Sequence, residues 1–169
     1  FTEGIKHRID ALVKPAPGQR LLDIGCGPGV DSLRLGGKVA PQGIVIGIDA
    51  DPEMVEIAEA RAAASPVARC VKHVVGDAAA LPYADGFFDG CRCERVLQHV
   101  PDPVRVVSEM ARVTTRGGAV VAADSDWPSL SIHGDDVDLE RQVVAAVIRR
   151  FRNGPAGRQL RDLFHAAGL

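Results

Sequence analysis

The run Arg20-Leu21-Leu22-Asp23-Ile24 is followed at once by glycines at every second position, Gly25, Gly27 and Gly29. A short apolar segment that stops in such a turn and passes into residues of helical period, here Val30, Leu33 and Leu35, predicts a strand leading through a tight loop into a helix. Glycine takes backbone angles that other residues avoid, and it lets a ligand approach the main chain without side-chain obstruction. The dinucleotide fingerprint places glycine or alanine three positions after its second glycine, and that position is Val30 here. The spacing is G-x-G-x-G, a turn not shaped for packing a helix against a pyrophosphate. By itself such a turn belongs to nucleotide-binding folds of many kinds.

Four further apolar runs follow: Gly43–Asp49, Val71–Val75, Phe87–Cys93 and, after the Gly117-Gly118 turn, Ala119–Ala123. Segments of helical period lie between them. Asp51 is placed to cap a helix with Pro52 at its first position, running to about Ser65. Val106, Val107, Met110 and Val113 give one face to a helix over Pro103–Val113. Leu139, Val143, Val144, Val147, Ile148 and Phe151 predict a buried stripe on a helix beginning near Asp135-Asp136. A last helix follows Gly154-Pro155, buries Leu160, Leu163 and Phe164, and stops at Gly168. This alternation predicts an α/β fold: a doubly wound, mostly parallel sheet with helices on both faces, and its ligand site beyond the carboxyl ends of the strands. Residues 1–169 read as one domain, with 126–157 inserted on the side where a substrate would sit.

Three acidic positions fall at those strand ends. Asp49, 22 residues after Gly27, can accept hydrogen bonds from ribose hydroxyls, or can be a loop aspartate or a helix cap. Asp77, with the main-chain amide of Ala78, can meet the edge of an adenine. Asp89, inside the fourth apolar run, must be paired if buried and reads first as a residue that organises the fold.

The net charge of -2 gives no whole-chain case for nucleic acid or an anionic membrane. Arg149, Arg150, Arg152, Arg158 and Arg161 read as solvated helix faces. No stretch is apolar over the roughly 18 residues of a membrane span, and the start carries no signal-peptide pattern. Cys26, Cys70, Cys91 and Cys93 lack the spacing of a metal site and read as small buried hydrophobes. A reduced, cytoplasmic protein without a metal is expected, and a homodimer stays open.

The ordered set LLDIGCGPG, GIDAD, GDAAALPYADGFFD, ERVLQHVPDP and EMARVTTRGGAVVAAD, over roughly residues 15 to 125, resembles the class I S-adenosylmethionine-dependent methyltransferases. It is most similar to the small-molecule subgroup that includes the quinone-biosynthesis methylases. The resemblance implies S-adenosylmethionine as cofactor. Its methionine part would be held by the turn with Asp23, Gly25, Cys26, Gly27 and Gly29; Asp49 would take the ribose, Ala50 would pack on adenine, and Asp77 and Ala78 would meet the adenine edge. Cofactor and substrate would meet at Cys93, Glu94, Gln98 and His99. Departures are Thr114-Thr115-Arg116 before Gly117-Gly118, where the family has Leu-Arg-Pro, and Gly36-Gly37 inside the first helix. The family also ends in an antiparallel strand pair for which nothing remains after Leu169, so a fragment or a partial record is expected.

Methyl transfer from a sulfonium is an in-line displacement that needs no metal, and alignment supplies most of the acceleration. A base is needed only if the acceptor must lose a proton. His99 and His133 are the candidates, with surface or lid roles as the alternative. Asp124, Asp126 and Trp127 follow the fifth run, where they either orient and wall in a small-molecule acceptor or act as cap and core residues. A nicotinamide-dependent oxidoreductase shares the turn and the acid at Asp49, and a non-catalytic binding or assembly domain is the other alternative.

Overall fold

The computed structural model describes residues 2–169, with side chains described from residue 4 onward. Among these residues five strands form one parallel sheet: β1 (Arg20–Ile24), β2 (Ile44–Asp49), β3 (Val71–Val75), β4 (Phe88–Glu94) and β5 (Thr114–Ala123), in the order β3-β2-β1-β4-β5. The helices are α1 (Thr2–Val13), α2 (Val30–Val39), α3 (Pro52–Ala63), α4 (Pro103–Val113), α5 (Val137–Ile148) and α6 (Ala156–Ala166). Winding proceeds outward from β1 through β2 to β3 on one side and from β4 to β5 on the other. The direction therefore reverses between β1 and β4, where the carboxyl ends of the strands open a crevice.

Parallel strands need both faces covered, which is why the predicted strands read as near-continuous apolar runs. Leu21, Leu22, Asp23 and Ile24 of β1 are all buried. Leu21 joins Ile9 and Val13 of α1, Leu35 and Val39 of α2, and Val45 in one core. Leu22 and Ile24 join Phe88 and the α4 residues Val106, Val107, Met110 and Val113 in the other, which α6 extends through Leu163. All four cysteines are free and buried. Asp89 has the organising role expected of it: its carboxylate accepts the Arg20 amide at 2.7 Å, fixing the start of β1 against β4. The caps at Asp51 and Asp136 accept the Glu53 amide and the Asp138 and Leu139 amides respectively.

The structure differs from the sequence reading at three elements. First, β5 begins at Thr114, directly after α4, and Gly117-Gly118 lies inside the strand as an irregularity. Between the pairs Phe88–Thr114 and Gly90–Ala119 the chain advances two residues on β4 and five on β5, so the extra residues bulge out. Second, α5 forms where its period predicts, but no described residue of it is buried; Leu139 and Val143 are 56% and 42% exposed. Its packing is with the short Trp127–Ser129 turn rather than with the sheet. A helical period identifies an apolar face, not a partner to cover it. Third, α1 carries no signal singled out in the sequence, yet its Ile9 and Val13 close one core.

The β3–β4 connection contains no helix, and α4 holds it in place. Glu109 accepts the Leu81 amide at 2.8 Å and both Nε and Nη2 of Arg112, at 2.9 and 2.8 Å. Arg112 in turn donates to the Tyr83 and Leu81 carbonyls and to Asp85. The hydrogen bonds from Arg112 hold the buried Glu109 carboxyl below the usual carboxylate range. Loss of one partner from such a pair leaves a desolvated charge, so Arg112→Met is expected to lower stability by on the order of 2 kcal/mol. A depressed folded pKa contributes stability that is present above the unfolded value of about 4.3 and is lost as pH falls toward the folded value. Thermal unfolding should therefore show the gap between wild type and Arg112→Met at neutral pH and its narrowing below pH of about 4.

The adjacent glycines of α2 are expected to respond in opposite directions. A Cβ on Gly36 would lie 2.4 Å from Val71 Cγ2, a buried β-branched side chain with no room to turn, whereas one on Gly37 meets nothing within 4 Å. Calorimetry should show Gly37→Ala more stable by about 0.5–1 kcal/mol and Gly36→Ala less stable, since overpacking of about 1–3 kcal/mol outweighs the gain in helix propensity.

Candidate functional site

Gly25, Gly27 and Gly29 all have left-handed φ, of 65°, 50° and 76°. Space requires glycine at two of them. A Cβ on Gly25 would sit 2.3 Å from Val96, and one on Gly29 would meet His73 and Ala58 at 2.8 and 2.9 Å. Above Gly27 the space is open, with nothing within 4 Å of such an atom. The turn is moored to β2 by the Gly25 and Cys26 amides, which donate to the Ile48 carbonyl at 2.8 and 3.1 Å. The decisive link is one residue on: the Gly27 amide donates to Asp49 Oδ2 at 2.8 Å, while Asp49 Oδ1 accepts the Asp51 amide at 3.0 Å. Both oxygens keep lone pairs for a further partner.

A cleft of about 510 Å³ lies over these groups. Asp49 and Ala50 at the end of β2, and Gly76, Asp77 and Ala78 after β3, form one wall. Arg95, Val96, His99 and Val100, following β4, form the opposite one, and Arg152 reaches in from the segment after α5. Asp77 is itself oriented, its Oδ1 accepting the Ala79 amide at 2.8 Å. Arg95 holds a left-handed φ of 60°, which is unfavourable for a side chain of its size. Its amide is held by the Ala123 carbonyl at 2.8 Å, so the link to β5 offsets that strain.

Gly25 and Arg95 also border a second cavity of about 370 Å³, on the far side of the turn. Its lining is polar: Asp23, Asp31, Arg92 and Glu94, with Lys6 of α1. Asp23 is buried and accepts Ser32 Oγ at 2.7 Å; burial pushes its carboxyl pKa up against the opposing pull of Arg92. Cys26 lines this cavity too, its thiol pKa pushed well up by burial. A larger open depression of about 670 Å³ along the β5 edge shares no residue with either cavity.

Of the positions singled out in the sequence, Gly25, Asp49, Ala50, Asp77, Ala78 and His99 meet in the first cleft, and Asp23, Gly25, Cys26 and Glu94 in the second. Others lie elsewhere. Cys93 is fully buried in the core, its thiol raised to about 12 by burial, and lines neither cavity. Gln98 is also fully buried, its Oε1 accepting the Trp127 indole N–H at 2.6 Å. Trp127 stacks on Phe151 at 4.4 Å, and Phe151 in turn lies 5.4 Å from the His99 ring. Asp124 accepts the Ser125 and Gln98 amides, and burial pushes its carboxyl up. Asp126 is paired with Arg158 at 2.8 Å. His133 is exposed and borders neither cavity. Sequence reasoning missed Lys6, Asp31, Arg92, Arg95 and Arg152. The first four come together only through the crossing of α1, α2 and β4, and Arg152 sits in a run that read as a solvated face. Among the described residues no group of three His, Cys, Asp or Glu side chains is placed to hold a metal ion, and no helix is long and apolar enough to cross a membrane.

Comparison with known proteins agrees with this geometry. An uncharacterized 37.1 kDa protein in transposon TN4556 of Streptomyces fradiae is 44% identical over 162 residues, which is 95% of this chain and 46% of the relative. A demethylmenaquinone methyltransferase of Desulfitobacterium hafniense is 35% identical over 128 residues, covering 76% of this chain and 51% of that one. The chain thus spans about half the length of these curated relatives. Among solved structures, the [4+2]-cyclase SpnF superposes with a TM-score of 0.76 at 26% identity, over 98% of this chain and 56% of its own. The family model described as a methyltransferase domain matches residues 22–122, from β1 through most of β5. The chain belongs to the methyltransferase-domain family.

Proposed function

We propose that the protein to which this chain belongs transfers a methyl group from S-adenosylmethionine to a small-molecule acceptor by in-line displacement. The observation that carries the reading is Asp49. A single carboxylate ties the open glycine turn to the cleft wall and retains acceptor capacity there, with Asp77 at the neighbouring strand end. Relatives named as demethylmenaquinone methyltransferases, and a structural neighbour described as a geranyl diphosphate methyltransferase in complex with SAM, support it.

The residues present fit the cofactor. The space above Gly27 admits a ligand against the main chain. Asp49 accepts from ribose hydroxyls, and Asp77 with the Ala78 amide meets the adenine edge. Ala50, Ile24 and Ile48 supply apolar contacts, and the polar cavity beyond Gly25 takes the amino-acid end. When bound, the cofactor supplies an electrophilic methyl group on a sulfonium. The chain's part is to hold the acceptor in line and to exclude water, an alignment worth on the order of 7–11 kcal/mol. Residues 126–157 provide the acceptor side: Trp127 and Phe151 form an aromatic wall next to His99. Gln98 and Asp124 act by fixing that wall and the segment after β4. His99, exposed at the cleft, is the proposed base for an acceptor that must lose a proton; His133 borders neither cavity and is not assigned that task. The balanced charge and the four free, buried cysteines support a small-molecule rather than nucleic-acid partner and a reducing, cytoplasmic setting.

Isothermal titration should show binding of S-adenosylmethionine and S-adenosylhomocysteine but not NAD, and Asp49→Ala should weaken it by at least about tenfold. Tight NAD binding with no response to the sulfonium sinks the reading. Because the structural neighbour SpnF is a cyclase, donor binding must be paired with transfer of a labelled methyl group to acceptor. In that assay His99→Ala is expected to lower kcat by about 10²–10⁴ while donor affinity stays near wild type; an unchanged rate removes His99 as the base.

A further inference from the structure

The polar cavity contains an arrangement that cofactor binding in the cleft does not explain. Arg92 lies in β4, at the centre of the sheet, with its side chain only 3% exposed. Its Nη2 donates to Glu94 Oε2 at 2.7 Å, and Nη1 lies 3.5 Å from both Asp23 and Asp31, too far for a good hydrogen bond. Nε and Nη1 are buried without a hydrogen-bond partner among the described residues. Burial drives a guanidinium toward neutrality, but the carboxylates of Asp23, Asp31 and Glu94 outweigh it and hold Arg92 firmly cationic. A buried cation of this kind is a poor source of stability compared with an apolar side chain of similar volume, so its use lies elsewhere.

The partners of the three carboxylates differ. Asp31 is taken on both oxygens by Lys6, at 2.8 and 2.7 Å. Asp23 is buried and bonded to Ser32. Glu94 lines the cavity and bonds Arg92 alone among the described residues, which leaves a carboxylate oxygen for a donor arriving in the cavity. The shape and charge suit a compact group carrying an ammonium, and the cavity joins the adenosine cleft at Gly25 and Arg95.

We propose that Arg92 is a positioning residue, which locks Glu94 so that its carboxylate meets the ammonium of the methyl donor's amino-acid end. Arg92 itself does not touch the donor. It fixes one oxygen of Glu94 through a forked, rigid guanidinium that lysine cannot reproduce. This rests on the donor reading above, and its test separates the two.

The test is titration of the chain with S-adenosylhomocysteine and with 5′-methylthioadenosine, which has the same nucleoside and no amino-acid end. Arg92→Lys is expected to weaken the first ligand by about tenfold and to leave the second within about twofold, since a role in general packing would move both together. Glu94→Gln should give the same pattern, and Arg92→Lys added to Glu94→Gln should cost nothing more, because the first acts through the second. Equal weakening of both ligands, no weakening of either, or losses that add in the double variant overturns the proposal. Should Arg92→Lys not fold, Glu94→Gln decides, and an unchanged ratio of the two affinities overturns it. A wild-type chain that binds neither ligand overturns the donor reading itself.

Discussion

The hydrogen bond from the Gly27 amide to Asp49 joins two elements that the sheet alone would not hold together. Parallel pairing aligns β1 with β2 only as far as Ile24 and Ile48. Beyond that point two backbone bonds to Ile48 hold Gly25 and Cys26, but Gly27 would keep several conformations, since glycine loses more conformational freedom on ordering than any other residue. A single carboxylate, fixed on its other oxygen by the Asp51 amide that also begins α3, removes that freedom. The same group lines the cleft. Order in the turn and the proposed recognition of the ligand are thus served by one side chain, and the two Ile48 bonds to Gly25 and Cys26 set the turn's height above the sheet.

Support from below is equally specific. His73 of β3 and Ala58 of α3 fill the space beneath Gly29, and Arg61 donates to the Pro28 carbonyl at 2.6 Å. His73 is itself held by Glu59, through its amide and its ring Nδ1. On the other side the charged group of Asp23, Asp31, Arg92 and Glu94 lies where apolar packing would be cheaper. One flank of the turn is therefore built by close packing and the other by charge. That asymmetry is what the proposed donor, with a flat nucleoside end and a small zwitterionic one, would need.

The far wall depends on α4 in place of a crossover helix. Glu109 and Arg112 hold residues 81–85 through backbone amides and carbonyls, and Arg105 adds a bond to the Ala79 carbonyl at 3.1 Å. Asp77 and Ala78 keep their place because the chain on both sides of them is tied down, to β3 before and to α4 after. The proposed acceptor side is made differently. The Trp127–Phe151 stack is anchored by Gln98, while α5 beyond it leaves its apolar residues largely uncovered.

The sequence by itself determined the strands, the glycine turn and the acids at their carboxyl ends. Each of these is written locally: a run buried on both faces must be apolar throughout, a left-handed turn under close neighbours must be glycine, and a helix start wants Asp before Pro. Gly25, Asp49 and Asp77 could be read for that reason. What only the tertiary structure decided were features that depend on distant parts of the chain. Cys93 looks like a site residue in a linear motif, yet depth in the sheet places it in the core, whereas Asp23 lines the polar cavity. Arg92 carries no signal of its own in the sequence, and its place follows only from the packing that brings Asp31 of α2 and Lys6 of α1 to the same cavity. The α5 stripe has the period of a buried face and none of the burial, because periodicity is a property of one helix whereas burial needs a second surface. Local chemistry fixed where the ligand cleft forms; long-range packing fixed which charges line it.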